Sequence, residues 1–193
     1  MGVREDRLWA EYEAMKKFRS QVVTWETVGN SRPPDVYRLS YKLKSMVGFN
    51  TKGVPRFHAG FKVKVRFPSN YPRKAPQVHL ISKPWPYHPN VWANDGRFCL
   101  EGTQHWIPGI GVPLDAICQM IGEIIAFQEV FLGSPANANP ALRAWIEENL
   151  RFESIARVTN PIDPSPIRLP DAADTIRWGE EPPKPAAPRI RFG

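Results

Sequence analysis

From Tyr37 the chain alternates strictly, with Tyr37, Leu39, Tyr41 and Leu43 set against Arg38, Ser40, Lys42 and Lys44. The pattern returns at Phe61, Val63, Val65 and Phe67, set against Lys62, Lys64 and Arg66. A period of two sends the two sets of side chains to opposite faces of a strand. In both stretches one set is apolar and the other almost wholly basic. The sheet they build therefore has one covered face and one wet, positive face. Strands buried on both faces, as in an all-parallel sheet, would not read this way. Val22–Val28 and Gln77–Ile81 supply two further short strands, and the break at 29–34 carries Gly29, Asn30, Pro33 and Pro34. Short strands in succession with turn-like connections predict a four-stranded antiparallel meander.

The covered face needs helices. Residues 4–19 place Leu8, Tyr12, Met15 and Phe18 at helical spacing, with Arg, Lys and Glu on the other faces. A second helix is expected at 113–131, where Leu114, Ile117, Ile121, Ile124 and Ile125 form one stripe. A third is expected at 140–158, with Asn139 as N-cap and Pro140 in the first helical position. The class is α+β. Between the fourth strand and the second helix lies an irregular stretch, residues 82–112, long enough to point to a functional loop. From Thr159 onward the composition changes, with eight of the 21 prolines in the last 35 residues and as many acidic as basic side chains. Residues 1–158 are read as one domain and 159–193 as an extended, proline-rich appendage.

Composition narrows the chemistry. With 193 residues, 42% of them apolar, the chain can bury one substantial core. No apolar run approaches the ~20 residues of a membrane span, and the N-terminus is charged, so no membrane partner and a cytoplasmic location are expected. Neither a glycine-rich phosphate loop nor a metal-ligand cluster is present, the histidines being scattered as His58, His79, His88 and His105. No cofactor and no metal are expected. The net charge of +7 resides in the domain, since the tail is neutral. No nucleic-acid-binding motif accompanies it, so no nucleic-acid partner is expected.

Two cysteines make neither a disulfide framework nor a zinc set. Cys118 lies among Leu114, Ile117 and Ile121 and reads as a small core hydrophobe. Cys99 follows the polar, turn-rich Asn94-Asp95-Gly96-Arg97 and is the reactive candidate. A cysteine that takes an acyl group and hands it to an amine needs an accessible sulfur and a donor aimed at the developing oxyanion. It must not have a water-activating base beside it. A cysteine protease needs the opposite, a His base oriented by Asn or Asp. Asn90, shortly upstream of Cys99, fits the acyl carrier.

His88-Pro89-Asn90 followed by Cys99-Leu100 resembles the signature of ubiquitin-conjugating enzymes. Phe67-Pro68-Ser69-Asn70-Tyr71-Pro72 and Ala75-Pro76-Gln77-Val78 resemble the family's turn between third and fourth strands. Trp106 and Pro108 resemble its tryptophan–proline loop, and Ser134-Pro135-Ala136-Asn137 resembles the approach to its third helix. The similarity runs from about residue 4 to about residue 158. It implies the ubiquitin-conjugating fold: an N-terminal helix, the antiparallel meander, a long active-site loop and two C-terminal helices. It implies that Cys99 carries a ubiquitin-like protein as a thioester and that Asn90 supplies the donor. His88, Pro89, Trp106 and Ser134 would support the loop, His88 as a brace and not as a base. Arg4, Arg7, Lys16 and Lys17 on the first helix would help dock an activating enzyme. The implied partners are that enzyme, a ubiquitin-like modifier and a target protein.

The chain also departs from the family. Eight residues separate Asn90 from Cys99, one more than is usual. A ~1 Å shift of a catalytic group costs on the order of 100-fold in rate. Ser134 stands where many members have an Asp that activates the incoming lysine, leaving Glu101 and Asp95 as substitutes if the fold brings them close. Arg73 replaces an apolar ligase-docking residue, and Ile107-Pro108-Gly109 replaces a serine-proline-alanine loop. Divergence of this kind suits prokaryotic members encoded in antiviral defence operons. Two other readings stay open, an inactive scaffold of the same fold and a basic nucleic-acid-binding module resting on the Lys/Arg stripe.

Overall fold

The structure is a computed structural model that describes residues 2–100, 111–131, 142 and 189–191. In chain order it contains α1 (Val3–Lys17), β1 (Val23–Thr27), β2 (Val36–Phe49), β3 (Pro55–Arg66), β4 (Gln77–Leu80), α2 (Leu114–Ile125), β5 (Glu129–Phe131) and β6 (Arg189–Arg191). β1 to β4 form an antiparallel sheet in sequential order. The predicted meander is therefore present. The alternation decides its faces: Tyr37, Leu39, Tyr41 and Leu43 are buried with Phe61, Val63 and Val65, while Lys42, Lys44, Lys62, Lys64 and Arg66 are exposed.

α2 covers the apolar face. Leu114, Ile117, Cys118, Ile121, Ile124 and Ile125 are buried in it, and the helix packs on both β2 and α1. The Tyr41 hydroxyl crosses this interface and donates to the Cys118 carbonyl at 2.9 Å. That bond satisfies a buried polar group that would otherwise cost roughly 1–3 kcal/mol.

Four details differ from the sequence reading. β2 runs past Lys44 to Phe49, because register shifts after Tyr41 and after Met46 break the period of two while the strand continues. α2 stops at Ile125 instead of reaching 131. Phe127 adopts φ 55°, its N–H donates to the Ile124 carbonyl at 3.1 Å, and the Gln128 N–H donates to the Glu123 carbonyl at 2.8 Å. This is a left-handed helix stop normally signalled by glycine, here made by phenylalanine. In α1, Glu11 is not on an outer face but is 2% exposed. Finally, three residues of the tail, Arg189–Arg191, form a strand that pairs in parallel with β5, a pairing the sequence does not announce. The helix expected at 140–158 lies outside the described residues except for Leu142, which is helical and buried.

Candidate functional site

The stretch after β4 is pinned to the sheet before it reaches the cysteine. The Tyr87 N–H donates to the Met46 carbonyl at 2.7 Å, and the Tyr87 ring meets Phe49 edge-on at 5.9 Å. His88 is fully buried. Its Nδ1 accepts the Asn90 N–H at 3.0 Å, and its ring stands edge-on to Phe127 at 4.5 Å. The left-handed stop of α2 thus supplies the surface on which His88 rests. Pro89 and Asn90 are buried beside it.

From Asn90 the chain makes a tight hairpin and returns to Cys99. The Cys99 N–H donates to the Asn90 carbonyl at 2.9 Å, Val91 bridges Phe98, and the Trp92 N–H reaches the Arg97 carbonyl at 2.9 Å. The tip closes through the Gly96 N–H on the Trp92 carbonyl. The returning arm docks on the edge of β4: the Leu80 N–H donates to the Gly96 carbonyl and the Phe98 N–H to the Val78 carbonyl, both at 2.9 Å. Gly96 is required twice over. Its φ is +69°, and a Cβ there would stand 2.8 Å from the indole of Trp85. Asp95 caps the turn by accepting the Arg97 N–H at 3.0 Å.

The hairpin explains how the cysteine is presented. Phe98 and Leu100 are 4% and 5% exposed and anchor the returning arm in the core. Successive residues of an extended segment point to opposite sides, so Cys99 between them faces outward and is partly exposed. The eight intervening residues all lie within the hairpin, and Asn90 and Cys99 remain hydrogen-bonded across its base. Trp92 is half-buried, with the Arg97 guanidinium 5.0 Å over its ring. Cys118 presents the opposite case. It is fully buried and free, and burial pushes its thiol far above the ordinary range.

The candidate docking helix is tied into the domain by a buried polar cluster. The Glu11 carboxylate accepts the Tyr71 hydroxyl at 2.6 Å, the Leu114 N–H at the start of α2 at 2.6 Å, and Arg7 Nε at 2.8 Å. Burial raises the Glu11 carboxyl above the usual range, outweighing these three donors, which all favour the charged form. Tyr71 is raised by burial and by the facing Glu11. Arg7 is lowered by burial but raised overall by the Tyr71 hydroxyl and Glu11. Arg4 Nε donates to the Pro68 carbonyl at 3.0 Å, and its guanidinium reaches Asp35 at 3.4 Å. Lys16 pairs with Glu13 at 3.0 Å, and Lys17 is exposed. The four basic residues therefore divide: Arg4 and Arg7 hold α1 to the 67–71 turn, and Lys16 and Lys17 face outward. Nothing in the sequence marks Glu11 except its place one turn after Arg7 and between Leu8 and Met15.

Trp106, Ser134, Glu101 and the 107–109 segment lie outside the described residues. Among the described residues no group of three or more His, Cys, Asp or Glu side chains could hold a metal ion, and no helix is long and apolar enough to cross a membrane.

The meander, its covering helix and the long loop bearing Cys99 define an α+β domain of the ubiquitin-conjugating fold. Comparison with known proteins agrees at the level of family. Residues 7–159 match the family model described as ubiquitin-conjugating enzyme. The chain is 34% identical over 134 residues to ubiquitin-conjugating enzyme E2 2 of Mycosarcoma maydis, covering 69% of this chain and 67% of that protein. It is 35% identical over 118 residues to ubiquitin-conjugating enzyme E2 1 of Caenorhabditis elegans, covering 61% of this chain and 56% of that one. Among solved structures, a ubiquitin conjugating enzyme from Plasmodium yoelii superposes with a TM-score of 0.50 at 16% identity, covering 84% of this chain and 96% of that one, which bears on the fold alone. The chain belongs to the ubiquitin-conjugating enzyme family, a family of transferases that work through a cysteine thioester.

Proposed function

We propose that this chain accepts a ubiquitin-like protein from an activating enzyme as a thioester on Cys99 and passes it to an amine of a target protein. In the first step the Cys99 thiolate attacks the carbonyl of the activating enzyme's thioester, and that enzyme's thiolate leaves. In the second an amine attacks the Cys99 thioester, the Cys99 thiolate leaves, and the amine's proton passes to solvent or a nearby base. ATP is consumed by the activating enzyme, so this chain needs no phosphate site of its own.

The observation that carries this reading is the base of the hairpin. The 2.9 Å bond from the Cys99 N–H to the Asn90 carbonyl keeps donor residue and nucleophile adjacent despite the additional intervening residue. Asn90 is assigned the side-chain donor that steadies the oxyanion. His88 is assigned the role of brace: its ring is wholly buried and its Nδ1 is engaged by the Asn90 backbone. Trp106, Pro89 and Ser134 are assigned support of the loop, and Lys16 and Lys17 the outer contact with the activating enzyme, with Arg4 and Arg7 orienting the helix that carries them. Asp95 is assigned no lysine-activating role, since it is occupied at the hairpin tip by Arg97. The setting we infer is cytoplasmic. A prokaryotic defence operon rests only on the departures at Arg73 and at 107–109. The relatives named above are eukaryotic, so it draws no support from them.

A pulse–chase separates transfer from loading. Protein preloaded with modifier is freed of ATP and mixed with excess lysine, and loss of the thioester is followed in time. Lysine-dependent discharge that slows in Asn90→Ala while loading persists is the expected result. Discharge at the rate of spontaneous hydrolysis in the wild type would contradict a transferase and leave a carrier scaffold.

A further inference from the structure

The face of the sheet turned away from α2 carries an ordered array of charge. Strand register places Glu26 opposite Arg38, Arg38 opposite Lys64, Lys64 opposite His79, and His79 opposite Arg97. A row of basic or titratable side chains thus crosses the whole sheet, neutralised at its ends only, where Arg38 pairs with Glu26 and Arg97 approaches Asp95 at 3.8 Å. A second line runs along β3 through Lys62, Lys64 and Arg66, all exposed, and crosses the first at Lys64. Alternate residues of a strand stand about 6.8 Å apart, comparable to the separation of successive phosphates in a nucleic-acid strand. Among the described residues no carboxylate lies within ion-pair distance of Lys42, Lys62, Lys64 or Arg66.

Like charges directly opposite one another destabilise a sheet. A solvated face has no need of them in register. The face also lacks what a protein partner uses, an apolar centre that anchors the interface. Its other outward side chains include Thr24, Ser40 and Gln77, and its apolar ones lie at the margins: Val36, in register with Arg66, and Ile81, at the rim beyond β4. A surface that is polar, positive and without an apolar centre matches phosphate contacts.

We propose that this open sheet face binds the phosphate backbone of a duplex nucleic acid, without reading its sequence. The absence of a binding motif, which argued against such a partner from sequence, bears on base-specific readers. A backbone contact needs only charge in the right arrangement.

The test uses the full chain carrying Cys99→Ala, so that thiol chemistry plays no part. Anisotropy of a labelled duplex DNA oligonucleotide is titrated at several salt concentrations. Binding should weaken linearly in log–log form. Lys62→Gln/Lys64→Gln/Arg66→Gln should reduce the slope by about 3, near one per lost phosphate contact. Lys16→Gln/Lys17→Gln/Arg19→Gln removes the same charge from the end of α1 and should leave the slope unchanged. Three outcomes would overturn the proposal: no binding at low salt, equal losses in both triple variants, or displacement of the DNA by polyglutamate at equal charge, which would make the occupant an acidic protein surface.

Discussion

Two thiols nineteen positions apart occupy opposite environments. Cys99 sits on a hairpin docked against a sheet edge, with buried neighbours on both sides turning it outward. Cys118 sits in the middle of α2, fully buried, with the Tyr41 hydroxyl bonded to its own carbonyl and its sulfur 4.0 Å from that of Met15. The same side chain is presented at the surface in one place and packed in the core in the other, and the distinction is made by backbone periodicity. An extended segment that buries alternate residues must present the ones between. A helix stripe facing a sheet presents none of its members.

The largest difference should appear in alkylation. Under native conditions iodoacetamide should label Cys99 and leave Cys118 intact, read by peptide mass. Cys118 should react only through opening of the core, slower by a factor on the order of 1,000 or more for a domain of ordinary stability. Equal labelling would break the comparison. Next comes the hairpin itself. Gly96→Ala forces a left-handed backbone on alanine and drives its Cβ into Trp85, so lysine-dependent discharge should fall on the order of tenfold to hundredfold. Gly53→Ala has a similar φ of +73° but nothing near its Cβ, and should lose some stability and no transfer. Third, Cys118→Ser buries a hydroxyl where a thiol packed and should lower the urea midpoint by an amount equivalent to about 1–3 kcal/mol, with loading at Cys99 retained.

The smallest effect is a pH dependence. Burial, with Arg97 and Lys64 nearby, lowers the pKa of His79 beneath the docked arm, against the pull of Asp95. Its folded pKa lies below the unfolded value near 6.5, so between the two the unfolded chain binds more protons. Stability should be complete above about pH 6.5 and decline as pH falls below it. His79→Gln should flatten that slope in denaturant titrations across the range. A steeper slope in the variant would contradict the sign.

The fold was legible where local pattern and tertiary outcome coincide. Alternation at 37–44 and 61–67 specified both strands and their faces, and the stripe at Leu114, Ile117 and Ile121 specified the cover. The candidate site was legible as composition, a cysteine after turn residues downstream of His88-Pro89-Asn90. What stayed hidden depends on contacts between distant residues. Glu11 reads as a surface charge because its three donors come from Arg7, Tyr71 and the start of α2. Phe127 carries no helix-stop signal, since the left-handed position is stabilised by burial against His88 rather than by glycine. The pairing of β6 with β5 joins segments far apart in the chain, with no periodicity to announce it. The additional residue before Cys99 looked like a displacement of the donor, yet the hairpin holds it between paired ends.

The most direct test of the central claim is the intact mass of the protein after incubation with an activating enzyme, its ubiquitin-like modifier and ATP, with and without reductant. An adduct of one modifier that reductant removes should be present in the wild type and Cys118→Ala and absent in Cys99→Ala. An adduct that survives reductant, or persists in Cys99→Ala, would contradict a thioester on the hairpin cysteine.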